Sequence, residues 1–202
     1  MFNSFFKRVF DLVASSIALL LLWPLFVVVA LWIKLDSKGP VFFKQTRVGR
    51  YEKNFEILKF RSMSVPTSVQ AAGLLITVGQ DARVTKSGFF IRKTKLDELP
   101  QLINVLKGEM SIVGPRPEVP KYIACYTAEQ RRCVLSVRPG ITDNASIEFR
   151  DENEILGRSQ DPEKAYIEEV LPIKIKHYIN YVEKNSLLED FKIVIKTLKI
   201  LF

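Results

Sequence analysis

From Leu12 to Ile33 the chain runs for 22 residues without a charged side chain. About 20 apolar residues, wound as a helix, are enough to cross the hydrocarbon of a bilayer. The apolar core of a secretory signal is shorter and leads into small residues at a cleavage site. Here the run continues through Leu31, Trp32 and Ile33 into Lys34, so the sequence predicts a retained membrane helix. Pro24 sits near its middle, where it removes a backbone hydrogen bond and kinks a helix. Lys7 and Arg8 precede the run, and Lys34 and Lys38 follow it. Flanking bases favour the cytoplasmic side of a membrane, which puts both ends on the same face. A helix that dips into the bilayer and returns, turning at Pro24, satisfies both features. The alternative is a kinked helix that crosses once and leaves a very short external tail. Ser15 and Ser16 could bond back to helix carbonyls.

The net charge is +8, and residues beyond 38 hold 26 basic and 20 acidic side chains. Such a surplus suits anionic headgroups or phosphorylated substrates, and equally nucleic acid. Nucleic acid would call for base-stacking aromatics or a groove-reading helix, and the sequence has neither pattern. Cys125 and Cys133 form no CxxC and imply no disulfide framework. Free thiols fit a reducing compartment. With His177 as the one histidine, zinc chemistry based on histidines and a Ser-His-Asp triad are poor readings.

After Gly39-Pro40 the pattern changes. Val41–Gln45 and Phe55–Phe60 read as short strands with Gly49 in the polar link, which predicts a hairpin. Residues 64–90, with Pro66, Gly73, Gly79 and Gly88, read as irregular. Phe89–Lys107 returns to helical periodicity, with Leu99, Leu102, Ile103 and Leu106 expected to face the core and Gly108 ending the stretch. Asp161-Pro162 has the form of an N-cap followed by proline at the first helical position, with an interruption near Pro172. Leu187–Phe202 is amphipathic. Lys192, Lys196 and Lys199 lie on one face; Phe191, Val194, Ile195, Leu198 and Phe202 lie largely on another. Such a helix lies in a membrane interface or docks on its own domain.

Lys95-Leu96-Asp97-Glu98-Leu99-Pro100-Gln101 places adjacent acids just before an apolar helical stripe. A helix start favours negative charge, so Asp97 is expected to stay ionised. An ionised carboxylate can bind Mg²⁺ or attack phosphorus, although acids at helix starts are most often caps. Gly114-Pro115-Arg116-Pro117 holds an arginine between two prolines, and a fixed guanidinium suits bidentate phosphate binding. Arg138-Pro139-Gly140 repeats the combination of a base with a rigid turn. Lys59 and Arg61, then Arg92, Lys93 and Lys95, complete a positive surround for the carboxylate pair. That arrangement could bring a diphosphate to an anionic nucleophile.

The chain resembles the bacterial sugar transferase family, the small monotopic phosphoglycosyl transferases. The resemblance covers nearly the whole length. It rests on Lys7-Arg8-Val9-Phe10-Asp11, Gly39-Pro40-Val41-Phe42-Phe43-Lys44-Gln45, and Leu58-Lys59-Phe60-Arg61-Ser62-Met63. It continues through Arg92 to Asn104, Gly108 to Pro117 and Arg138 to Thr142. The resemblance implies a two-step transfer: Asp97 attacks the β-phosphorus of a UDP-sugar, UMP leaves, and polyprenyl phosphate takes the phosphosugar from Asp97. It implies that Glu98 assists, through metal binding or proton handling, and that Mg²⁺, held by Asp97 and Glu98, neutralises diphosphate charge. Arg116 would hold a phosphate, with Lys59, Arg92 and Arg138 as further nucleotide or phosphate contacts. It also implies a re-entrant helix in the bacterial inner membrane, broken at Pro24, with catalysis on the cytoplasmic face.

Two departures stand out. Trp23 precedes Pro24 where relatives have serine. Asp143-Asn144-Ala145-Ser146-Ile147-Glu148-Phe149 replaces a glycine followed by a Trp/Leu-Ala-Gln-Val segment, which bears on nucleotide or sugar selectivity. The expected fold is mixed α/β and helix-dominated, with a re-entrant membrane helix, a small β-hairpin and amphipathic surface helices. Residues 1–38 form the anchor and residues 39–202 the catalytic domain, with inner-membrane lipids as partners and a homodimer left open. A non-catalytic basic scaffold on anionic lipid, and a metal-dependent diphosphate hydrolase, remain alternatives.

Overall fold

The structure, a computed structural model, describes residues 2–64 and 81–201. Pro66, Gly73 and Gly79 of the stretch read as irregular lie outside these residues, as does Phe202. Helices dominate. Helix α1 (Phe2–Asp36) is continuous and includes Pro24. At 1.5 Å per residue it is about 50 Å long. Its outward face carries Val13, Ile17, Leu20, Leu21, Trp23, Val28 and Leu31, all exposed, so no protein core accounts for this apolar stripe.

Both ends of α1 are fastened to the rest of the protein. Near its start, Lys7 Nζ donates to the Val113 carbonyl (3.0 Å) and pairs with Asp190 (2.6 Å). Arg8 donates to the Val105 and Leu106 carbonyls, and Asp11 accepts from the Ile112 amide. Near its end, buried Arg61 donates to the carbonyls of Ile33, Ser37 and Lys38 and so closes the C-terminus of the helix. Val29 and Ile33 join Phe60 and Ile91 in a buried cluster. The flanking bases of the sequence therefore grip the domain as well as framing the apolar run. Ser15 is fully buried with its hydroxyl unpartnered, so it does not bond back to a carbonyl as expected.

Strands β1 (Phe42–Val48) and β2 (Asn54–Phe60) form the hairpin, antiparallel with Phe42 opposite Phe60 and Val48 opposite Asn54. The free edge of β2 is satisfied by one side chain: Asn104 accepts from the Leu58 amide (3.0 Å) and donates to the Glu56 carbonyl (2.8 Å). That bond explains a misread stripe. The stretch Phe89–Lys107 is not one helix but α2 (Lys86–Lys93), a 3₁₀ turn (Leu96–Glu98) and α3 (Gln101–Lys107). The buried face of α3 is Gln101, Asn104 and Val105, while Leu106 is exposed. Satisfying a strand edge outweighed burying the leucine stripe. Helix α2 starts inside the segment read as irregular, and Gly88 explains its placement: a Cβ there would lie 1.9 Å from the Ser62 carbonyl oxygen.

Strands β3 (Ser111–Val113) and β4 (Gly140–Thr142) pair in parallel, Val113 opposite Thr142. Their C-terminal ends deliver the Arg116 loop and the start of α6 (Asn144–Glu148) to the same place. Helices α4 (Pro120–Ile123), α5 (Ala128–Val134), α7 (Glu152–Gly157) and α8 (Pro162–Ala165) pack in a separate buried cluster with Val48 and with Leu171, Ile175 and Tyr178. Asp161 caps α8 as expected. The interruption at Pro172 takes the form of a π-helical turn (Tyr166–Val170) leading into α9 (Leu171–Lys184). Helix α10 (Leu187–Leu201) docks on its own domain and leaves an apolar face uncovered. Asp190 and Ile193 are buried, whereas Phe191, Ile195 and Leu198 remain exposed beside α1, where Phe10 meets Phe191.

Replacing Arg61 by Met keeps side-chain volume but leaves the end of α1 without its donors. A loss of about 2 kcal/mol is expected, read as a lowered thermal midpoint of the detergent-solubilised protein. Lys38→Ala, which retains the carbonyl that Arg61 binds, should leave the midpoint unchanged.

Candidate functional site

Asp97 and Glu98 lie in the 3₁₀ turn between α2 and α3, entered through Lys95 in the left-handed conformation (φ 57°). That turn, the end of β2, the Arg116 loop, α6, α9 and α10 enclose a cavity of about 370 Å³. Six bases line it (Lys59, Arg92, Lys95, Arg116, Arg150, Lys174) against three acids (Asp97, Glu98, Glu152), which gives it a net positive lining.

The two carboxyls are treated very differently. Glu98 sits between Lys59 Nζ (2.7 Å) and the Arg116 fork, whose nitrogens reach its two oxygens at 2.5 and 3.3 Å. Arg116 and Lys59 together hold the Glu98 carboxyl well below its ordinary range despite its burial. In return Glu98 holds the Arg116 guanidinium well above its own. Burial outweighs Glu98 at Lys59, whose ammonium is pushed down. Asp97 is 7 % exposed, and its Oδ1 is buried without a hydrogen-bond partner. Burial, reinforced by the charge of Glu98, pushes its carboxyl up, against the pull of Lys59, Arg92 and Lys95. The helix-end field at Asp97 is therefore opposed by burial: the turn is short and dry, and the net direction of its carboxyl is upward.

Lys59, Arg92 and Arg116 come together as the sequence predicted. Arg138 does not join them: its Nε donates to the Gly108 carbonyl (2.8 Å), and it is not among the residues lining the cavity. Arg61 caps α1 instead, and Lys93 is likewise outside the lining. Arg150 and Lys174 were missed, because they lie far along the chain from any motif and only the packing of α6 and α9 brings them in. Lys174 is committed to Glu152. The side chains of Arg92, Lys95 and Arg150 make no hydrogen bond or ion pair with any described residue. The departing segment after Thr142 supplies Ser146, Ile147 and Phe149 to the cavity wall.

Among the described residues no three His, Cys, Asp or Glu side chains cluster to cage a metal. Mg²⁺ commonly takes one or two carboxylates together with substrate phosphates. The unpartnered Oδ1 of Asp97 fits such an ion, whereas both oxygens of Glu98 are already held by bases. The assignment of Glu98 as a metal ligand is therefore not supported by this geometry.

The sign of the Asp97 shift makes a test. A carboxyl whose pKa is raised on folding stabilises the fold below its unfolded pKa. That stabilisation is lost as pH rises through the folded value. Asp97→Asn removes the buried charge, so its thermal midpoint in EDTA should exceed that of the wild type at pH 8, with a smaller difference near pH 4. Glu98→Gln leaves Lys59 and Arg116 facing each other unpaired and should destabilise by about 3 kcal/mol, measured in the same melts.

Comparison with known proteins agrees with the layout. Residues 2–202 match the bacterial sugar transferase family. A UDP-N-acetylgalactosamine-undecaprenyl-phosphate N-acetylgalactosaminephosphotransferase of Aeromonas hydrophila is 39% identical over 198 residues, 97% of this chain and 43% of that protein. A UDP-glucose:undecaprenyl-phosphate glucose-1-phosphate transferase of Klebsiella pneumoniae is 38% identical over 96% of this chain and 40% of its own length. The exopolysaccharide production protein PSS of Rhizobium leguminosarum bv. phaseoli is 38% identical, covering 95% of this chain and 92% of that protein. The chain thus spans less than half of the first two relatives and nearly all of the third. An acid pair beside a base-lined cavity, set against a long apolar helix, and a match from end to end establish that this chain belongs to the bacterial sugar transferase family.

Proposed function

We propose that this protein transfers a sugar 1-phosphate from a UDP-sugar to polyprenyl phosphate at the bacterial inner membrane, as the first membrane step of a surface glycan or glycoprotein pathway. The observation that carries the reading is Asp97: a buried carboxyl with an unpartnered oxygen, in a cavity whose bases outnumber its acids. The names of the relatives supply the donor and acceptor classes.

In the first step an Asp97 oxygen forms a bond to the β-phosphorus while the bond to the bridging oxygen of the diphosphate breaks, and UMP leaves. In the second step an oxygen of polyprenyl phosphate attacks that phosphorus, and the Asp97 carboxylate is released. The dry surround that raises the Asp97 pKa also strips its charged form of water, which strengthens it as a nucleophile once ionised. Arg92 and Lys95 pull it back towards the ionised form. Glu98, kept ionised, is a poor proton carrier near neutral pH. Its role in this reading is to hold Lys59 and Arg116 where phosphate oxygens arrive. Mg²⁺, carried in with the diphosphate and met by Asp97, would neutralise phosphate charge.

The same reading gives α1 a re-entrant path, with catalysis on the cytoplasmic face. Among its described residues the buried ones lie towards its two ends, at Asp11, Ser15, Val29 and Ile33. Leu20, Leu21 and Trp23, just before Pro24, are among its most exposed side chains. Two ends docked on one domain with an exposed apolar middle suit a dip into the bilayer better than a crossing.

A UMP-release assay tests the function, using detergent-solubilised protein, a panel of UDP-sugars, polyprenyl phosphate and Mg²⁺. UMP and lipid-linked product should appear in step with one or more donors. Asp97→Asn should lower turnover by at least about a thousandfold. Turnover surviving in that variant rules out the covalent route, free sugar phosphate as product points to water as acceptor, and silence with every donor from folded protein favours a scaffold.

A further inference from the structure

Behind Arg116, Pro117 and Glu118 are held by a partly buried polar cluster that does not line the cavity. After Pro117 the chain lies along the end of β1, where the Val48 amide donates to the Glu118 carbonyl (2.9 Å). Arg47, one residue earlier on β1, reaches the same turn with its side chain. Its Nη1 donates to the Pro117 carbonyl (3.0 Å), and its Nη2 donates to Gln45 Oε1 (2.7 Å). Glu118 is almost wholly buried; its carboxylate lies 3.9 Å from Arg47 and accepts from the Tyr166 hydroxyl (2.7 Å). The hydroxyl comes from the π-helical turn before α9, so β1 and that turn both meet the segment that follows Arg116.

Stability alone is a weak reason for this cluster. A buried ion pair costs desolvation that a well-packed apolar replacement avoids. Here Arg47 Nε is left without a partner besides. What the cluster does supply is direction. Pro115 and Pro117 stiffen the two flanks of Arg116, and the Pro115 carbonyl accepts from the Gly140 amide (2.9 Å). The Pro117 carbonyl, on the other flank, is taken by Arg47. Arg47 and Arg116 are close enough to oppose each other electrostatically, and Glu118 offsets that repulsion.

We propose that Arg47, Glu118 and Tyr166 are positioning residues for Arg116, fixing its loop so that the guanidinium meets the donor diphosphate in one orientation. Gln45 braces Arg47 in the same role, which gives the end of β1 a part in donor binding although it does not line the Asp97 cavity. The inference rests on the proposed function through the assignment of Arg116 to the donor.

The test uses full-length protein in detergent and four variants: Tyr166→Phe, Gln45→Ala, Arg116→Ala, and Tyr166→Phe combined with Arg116→Ala. Donor KM and kcat come from UMP release, and UMP affinity comes from titration calorimetry, which needs no turnover. Removing one hydrogen bond to a charged group is worth roughly a tenfold change. Tyr166→Phe and Gln45→Ala should each raise donor KM and weaken UMP binding by about that factor, with kcat within about twofold of wild type, and Tyr166→Phe should also lower the thermal midpoint because buried Glu118 loses a donor. In the Arg116→Ala background Tyr166→Phe should add nothing further, because the group it positions is gone. An equal effect in both backgrounds overturns the positioning role. So does an unchanged KM for Tyr166→Phe and Gln45→Ala when Arg116→Ala itself is impaired. If Arg116→Ala leaves both KM and UMP affinity untouched, the donor assignment fails and the inference falls with it. Should Tyr166→Phe not fold, Gln45→Ala carries the comparison.

Discussion

Lys59 ends the hairpin, Arg116 follows the parallel strand pair, and each would repel the other if nothing stood between them. Glu98 stands there, bound to both. This three-membered ion cluster fixes where β2, the 3₁₀ turn and the β3 loop lie relative to one another, because moving any one of them breaks a half-buried charge pair. It also creates the chemistry next door. With the Glu98 charge held in place by two bases, the neighbouring Asp97 feels a fixed negative charge and a dry surround, and its carboxyl is pushed up as that of Glu98 is pushed down. Two adjacent acids thereby acquire separate tasks.

Much of this was legible in the chain, for identifiable reasons. The apolar run of α1 can be read because a bilayer imposes a length and forbids charge. The hairpin follows from strand alternation around Gly49, and the Arg116 loop from two prolines whose rigidity is local. Asp161-Pro162 announces its helix start in the same way. Each of these signals is complete within a few residues.

What could not be read depends on partners distant in sequence. Asn104 looks like a polar residue on the wrong side of a leucine stripe until β2 lies beside it. Arg138 and Arg116 look equivalent, each beside proline and glycine. Only the packing turns one towards the cavity and binds the other to the Gly108 carbonyl. Arg61 reads as a site base and is a helix cap. The upward direction at Asp97 could not be read because sequence shows the helix end but not the burial that opposes it. Arg150 and Lys174 belong to no motif, and only the packing after α6 and along α9 brings them to the cavity.

The N-terminal fastening has a consequence for vertical distance. Lys7 and Tyr181 both bind the Val113 carbonyl, and both also bind Asp190. Val113 lies three residues before Arg116. Any shift of α1 is therefore passed, through one short chain of hydrogen bonds, to the Arg116 loop, so under the proposed function the depth of this helix in the bilayer would set the height at which the arginine meets a lipid phosphate.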